Sequence, residues 1–163
     1  MQNNHQEHNY LSVLKDSLLK KKKVLENISK LNLRQKDILL AEKFDEMGFD
    51  VIYEEKGRFI AEINLLDSGF ESVYDRVKKQ ITGSSELYKD EIRELQTLIG
   101  DVTDISMEVQ VQEKRNHELM NSKSKEMKKE VQTARATNKA AFGYYQSMNK
   151  LNIVDPQFMD RKK

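Results

Sequence analysis

The chain has 163 residues, 37% of them apolar and 34% charged, with six Gly, one Pro, no Cys and no Trp. The absence of Cys excludes a disulfide scaffold, thiolate metal sites and thiol chemistry. The scarcity of Gly and Pro argues against sandwiches, barrels and glycine-rich phosphate loops, all of which need frequent turns.

Net charge is +1, so no global field draws the chain to nucleic acid. The neutrality hides a segregation. Residues 1–40 carry 8 basic and 4 acidic side chains, 41–108 carry 8 and 17, and 109–163 carry 12 and 6. A basic, acidic, basic order suits a chain that folds back on itself with its acidic middle beside a basic neighbour. The plainer alternative is three solvated faces with little specific pairing, since exposed ion pairs contribute only about 0–1 kcal/mol each. Apolar runs are too short to span a bilayer, and the polar start Met1-Gln2-Asn3-Asn4-His5 lacks the apolar core of a secretory signal. A cytoplasmic protein without membrane insertion is expected.

A first helix is expected over 9–42. Leu11, Leu14, Leu18, Leu25, Ile28 and Leu39 share one alternating three-and-four register, which also passes through Lys21, Asn32 and Gln35. Val24, Leu31 and Ile38 widen this stripe beyond a two-helix seam and point to packing in a bundle. The break at 42–48 offers Asp45 as an N-cap and Glu46 in the first turn. A short connection between long amphipathic helices makes them antiparallel.

The second helix, expected over 46–81, has the most regular pattern. Phe49, Ile52, Lys56, Phe59, Ile63, Leu66, Phe70, Val73 and Val77 are spaced alternately three and four apart, and only Lys56 is not apolar. A third helix, expected over 85–150 with Ser84 or Ser85 as its cap, opens on a seam of Tyr88, Ile92, Leu95, Ile99, Val102 and Val109. From 110 to 137 large apolar residues thin to Val111, Leu119, Met120, Met127 and Val131 among many lysines. Such a segment either projects beyond the hairpin or awaits a partner. The fold class is therefore all-α: a long antiparallel helical hairpin extended by a third long helix into a small bundle. It forms a single elongated domain with mobile tails at 1–8 and 155–163, the latter beginning where Asp155-Pro156 ends the helix.

Few side chains suggest chemistry. His5 and His8 lie three apart in a polar terminus without a third ligand, and His117 sits in a charged stretch as a solvated side chain. Lys20–Lys23 could contact an anionic surface, but four consecutive helical residues spread around most of the circumference, and a solvated face is the simpler reading. No catalytic motif is present, and no catalytic, cofactor or metal residues are expected. The sharpest binding feature is the edge formed by Phe142, Tyr145 and Met148, with Tyr144 pointing elsewhere. Aromatic and Met side chains serve as interface anchors. Ordinary core is the alternative.

The long striped helix, the acidic break, the run Glu54-Glu55-Lys56-Gly57-Arg58-Phe59-Ile60 and the tail Pro156-Gln157-Phe158-Met159-Asp160-Arg161-Lys162-Lys163 together resemble the FlgN-type flagellar export chaperones of Gram-positive bacteria. Lys56 and Arg58 match the charged stretch of the family's second helix, while Gly57 departs from it. The resemblance implies a cytosolic, non-enzymatic chaperone of the hook–filament junction proteins FlgK and FlgL. Such a protein shields its clients' terminal helices and delivers them to the export gate, including FlhA. It also implies client binding by the C-terminal helix and gate contact by a nearby tyrosine, for which Tyr144 and Tyr145 are the available positions.

An under-filled third helix could complete its packing with a partner's amphipathic helix. The expected client face is Met120, Met127, Val131, Phe142, Tyr145 and Met148, with intramolecular packing or self-association as the alternative. A competing class is a homodimeric coiled-coil spacer joined through the second-helix seam. A third, nucleic-acid binding through the basic third helix, is disfavoured.

Overall fold

Long stretches without Gly or Pro, carrying apolar residues at helical spacing, become three long helices in the computed structural model, which describes residues 2–83 and 86–135. These are α1 (Gln2–Leu40), α2 (Glu46–Gly83) and α3 (Lys89–Arg135). Among the described residues there is no strand, so the protein is an all-α helical bundle. No helix among them is long and apolar enough to cross a membrane.

The boundaries differ in detail from the expectation. α1 starts at Gln2 instead of near Asn9, because polar residues with no Gly or Pro need not interrupt a helix. α3 starts at Lys89, after a turn over 86–88, and the amide of Ile92 donates to the Tyr88 carbonyl at 2.9 Å. The expected caps Ser84 and Ser85 lie outside the described residues, as does everything beyond Arg135.

The α1–α2 connection is built as its sequence suggests. The amide of Gly48 donates to Oδ1 of Asp45 at 3.0 Å, and the amide of Phe49 donates to the Asp45 carbonyl at 3.0 Å. Asp45 thus satisfies donors that a helix start leaves open, and its charge suits the positive end of the helix. A Cβ at position 48 would collide with the Asp45 carboxylate, so glycine there permits the cap's close approach. Asp45→Ala is expected to cost about 1 kcal/mol, read as a lower urea midpoint at unchanged slope. Gly69 and Gly100 meet the opposite circumstance: a Cβ at either would enter open space. Gly69→Ala and Gly100→Ala are each expected to raise stability by about 0.5–1 kcal/mol in the same melts.

The described residues pack as two compact units, the first formed by 2–29 with the described part of Lys56–Val109, the second by Lys30–Glu55 with 110–135. In the first unit the core draws Leu11, Leu14, Leu18, Val24, Leu25 and Ile28 from α1, Val77 from α2, Tyr88 from the turn before α3, and Val102 and Val109 from α3. Full burial of a side chain such as Ile28 stabilises by about 1.5–3 kcal/mol. The remaining α2 seam positions here, Phe59, Ile63, Leu66, Phe70 and Val73, are half-buried, and Lys56 is buried.

Charge segregation becomes pairing in this unit. Lys15 meets Glu94 at 2.7 Å, Lys21 meets Asp67 at 2.7 Å and Lys22 meets Asp101 at 3.5 Å. Basic α1 therefore lies beside acidic segments of both α2 and α3. The pairs to α3 each join residues 79 apart, so α1 and α3 run parallel here and advance together by one heptad. The hydrogen bond to Glu94, and then its charge, raise the pKa of Lys15. Of the Lys20–Lys23 run, Lys21 and Lys22 are half-buried and paired, while Lys20 and Lys23 are exposed. All three pairs are partly solvated, so they favour register more than stability.

In the second unit α1 and α2 form the expected antiparallel hairpin end. Leu39 and Phe49 pack together with Met120 and Met127 of α3, and Phe44, Ile38 and Leu119 flank them. The rings of Phe44 and Phe49 lie 5.5 Å apart, tilted by 50°, a favourable aromatic geometry. Leu31, Ile52 and Val131 are also buried.

Candidate functional site

The second unit holds the polar residues that the helix seams could not avoid. The α1 register passes through Asn32 and Gln35, and both are buried. The α3 register continues from Val109 through Glu113, Asn116, Met120, Lys123 and Met127 at alternating four and three, and all five are buried. The same helical periodicity that buries Leu elsewhere therefore brings amides and charges inside.

Their contacts form a layer. Nδ2 of Asn32 donates to Oε1 of Gln112 at 3.1 Å. Nδ2 of Asn116 donates to the backbone carbonyl of Asn32 at 2.9 Å and to Oε1 of Gln35 at 3.1 Å. These bonds fix α3 against α1 in one register, because each amide has its partner only at that height. The layer is not fully satisfied: Oδ1 of Asn32 and Oδ1 of Asn116 are buried without hydrogen-bond partners. A buried polar atom left unpaired costs about 1–3 kcal/mol.

Two turns farther along α3, Lys123 does a different task. Its ammonium donates to the carbonyls of Ala41 at 3.1 Å and Glu42 at 3.5 Å, just past the end of α1. Glu126 lies at 3.7 Å on the same helix. A helix C-terminus leaves carbonyls unpaired and carries partial negative charge, and no glycine follows Leu40 to close it. Lys123 supplies the missing donor from a distant part of the chain.

Comparison with family models, with curated proteins and with solved structures found no match. Function must therefore be argued from the residues themselves.

Of the expected client-binding residues, the structure brings Met120 and Met127 together in one cluster, with Val131 one turn on, all buried. In the described chain these side chains are buried in intramolecular packing. The reason is that hairpin 30–55 offers Leu39 and Phe49 to the same stripe. Phe142, Tyr144, Tyr145 and Met148 lie outside the described residues. His117 is half-buried and engaged, not solvated as expected. The second-helix seam, expected as a dimer contact in the spacer reading, is buried or half-buried within the chain's own packing.

Among the described residues, no group of three or more His, Asp or Glu side chains is placed to hold a metal ion. A shallow groove of about 230 Å³ in the first unit has Leu18, Phe70, Ile99 and Val102 on its walls and the Lys21–Asp67 pair at its edge. Sequence reasoning missed the polar layer and the Lys123 cap. Extending the register of Val109 with polar residues allowed would have found Asn116 and Lys123 as inward positions.

Proposed function

We propose that this protein is a cytosolic, non-enzymatic binding protein for amphipathic helices, of the FlgN-type export chaperone class. Its clients in this reading are hook–filament junction proteins like FlgK and FlgL, held before export and handed to the gate component FlhA. The observation that supports it is the stripe Met120, Met127 and Val131 on a basic helix segment whose interior is otherwise polar. Such a stripe packs adaptably, because Met side chains conform to varied partners. The client face extends in this proposal to Phe142, Tyr145 and Met148, with Tyr144 or Tyr145 as the gate contact.

The test is affinity capture from the native cytosol with the full chain as bait. Recovery of junction proteins is the expected result. Their absence, with an elongated homodimer found by light scattering, would favour a coiled-coil spacer. A second measurement separates binding from folding. Phe142→Ala with Tyr145→Ala should weaken capture while helicity by circular dichroism stays unchanged. Unfolding without selective loss of capture would remove these two residues from the proposed surface.

A further inference from the structure

In the free chain, the Met stripe just assigned to the client is covered by hairpin 30–55, so the site as described is closed. Three features of the second unit bear on how it opens. The contact between α3 and the hairpin is interrupted by the Asn32, Gln35, Gln112 and Asn116 layer, where the buried Oδ1 atoms of Asn32 and Asn116 lack partners. Polar layers bind helices less strongly than apolar layers of the same size, and an incompletely paired one less strongly still. The apolar cluster beyond it is small: Leu39 and Phe49 against Met120 and Met127, flanked by the partly buried Ile38, Phe44 and Leu119. Finally, the two surfaces are oppositely charged. Residues 30–55 carry seven acidic and four basic side chains, whereas 110–135 carry seven basic and four acidic ones.

We infer that 110–135 is a closed binding helix: it detaches from hairpin 30–55, and an acidic amphipathic helix of the partner takes the hairpin's place on it. The identity of the partner rests on the chaperone reading; the detachment rests on the polar layer and the small apolar cluster beyond it. The chemistry of the partner follows from what the hairpin now supplies. It must offer apolar side chains to Met120 and Met127, a polar acceptor to the Asn116 amide, and an oxygen acceptor to Lys123. Its acidic character replaces the hairpin's net negative charge opposite the basic helix. The hairpin thereby serves as a placeholder that shields the stripe until a client arrives.

The test uses the full chain and needs two measurements. Native-state hydrogen exchange on the free protein should show amides of 116–131 exchanging about tenfold or more faster than those of 95–109 in the same helix, through sub-global opening. Equal protection of the two stretches would overturn detachment. Because the chain has no Cys, Ala41→Cys with Ser122→Cys can be joined by a thiol-cleavable bismaleimide. Both positions are exposed, and Lys123 beside Ser122 already reaches the Ala41 carbonyl. The probe is a synthetic acidic amphipathic peptide with Leu and Phe along one helical face and Glu and Asp on the other. The cross-linked chain should bind it about tenfold or more weakly, with recovery on cleavage, since a closed state reduces apparent affinity by its population. Undiminished binding by the cross-linked chain would overturn the inference. If the uncross-linked chain binds no such peptide although exchange shows opening, the acidic-helix partner is overturned and the detachment stands, while junction-protein capture tests the chaperone reading separately.

Discussion

Phe49→Ala is expected to destabilise the protein by about 3–5 kcal/mol, the cost of emptying a fully packed aromatic site. Phe49 is 1% exposed and joins the second unit's buried cluster with Leu39 from α1 and Met120 and Met127 from α3, its ring set against that of Phe44 in the connection. Its amide also makes the first backbone bond of α2, to the Asp45 carbonyl, which survives the substitution. The loss is therefore one of side-chain packing and not of helix initiation. Urea unfolding followed by circular dichroism should show the midpoint falling steeply. Met47→Ala, at a position 80% exposed only two residues away, should change stability by less than about 0.5 kcal/mol. A Phe49→Ala cost below about 1 kcal/mol would mean that the hairpin end is not packed against α3 as described. Because native stabilities are only about 5–15 kcal/mol, a loss of the expected size would by itself leave the second unit marginal.

How much of this was legible in the sequence differs from helix to helix, for physical reasons. On α1 and α2 the apolar stripe states the buried face directly. Leu14, Ile28 and Phe49 lie where the alternating spacing puts them, and even the interruptions at Asn32, Gln35 and Lys56 are inward positions. The Asp45 cap was equally readable, because capping is local: a carboxylate and the amide three residues on suffice. On α3 the same spacing was present but disguised. A pattern judged by hydrophobicity stops at Val109, whereas burial continues through Asn116 and Lys123 because their partners are polar too. Those partners lie about 80 residues away. Nothing local to either helix announces that an amide on one will meet an amide on the other. Lys123 as a cap is less legible still, since it depends on where α1 ends relative to α3. The segment that looked unable to bury itself does so by complementing the irregularities of α1.

Asn116 is where this complementarity is expected to matter most for a single polar side chain. Its Nδ2 serves both the Asn32 carbonyl and Oε1 of Gln35, at 2.9 and 3.1 Å. Asn116→Leu is of similar volume and removes no packing to speak of, yet it leaves these two acceptors buried beside a hydrocarbon. The expected cost is about 1–3 kcal/mol, because both acceptors lose the Asn116 donor while the Asn32 carbonyl keeps its helical hydrogen bond and Gln35 keeps its other contact. Exchanging the whole layer has the opposite expectation. With Asn32→Leu, Gln35→Leu and Gln112→Leu added, the Gln35 acceptor goes as well, along with the unpaired Oδ1 of Asn32, and only the Asn32 backbone carbonyl remains, in its helical bond. The fourfold variant should then be at least as stable as the natural protein, because apolar replacement of a buried polar network is often neutral or stabilising. Thermal melts of the single and fourfold variants give the comparison directly. A single change that costs nothing would mean that the layer is hydrated and not buried. A fourfold variant less stable than Asn116→Leu would mean that the amides contribute packing energy that hydrocarbon cannot replace. If the fourfold variant is more stable and its 116–131 amides become as protected as those of 95–109, then the polar layer is what keeps this end of α3 releasable. Stability has then been given up at the one place where the proposed client-binding stripe must come free.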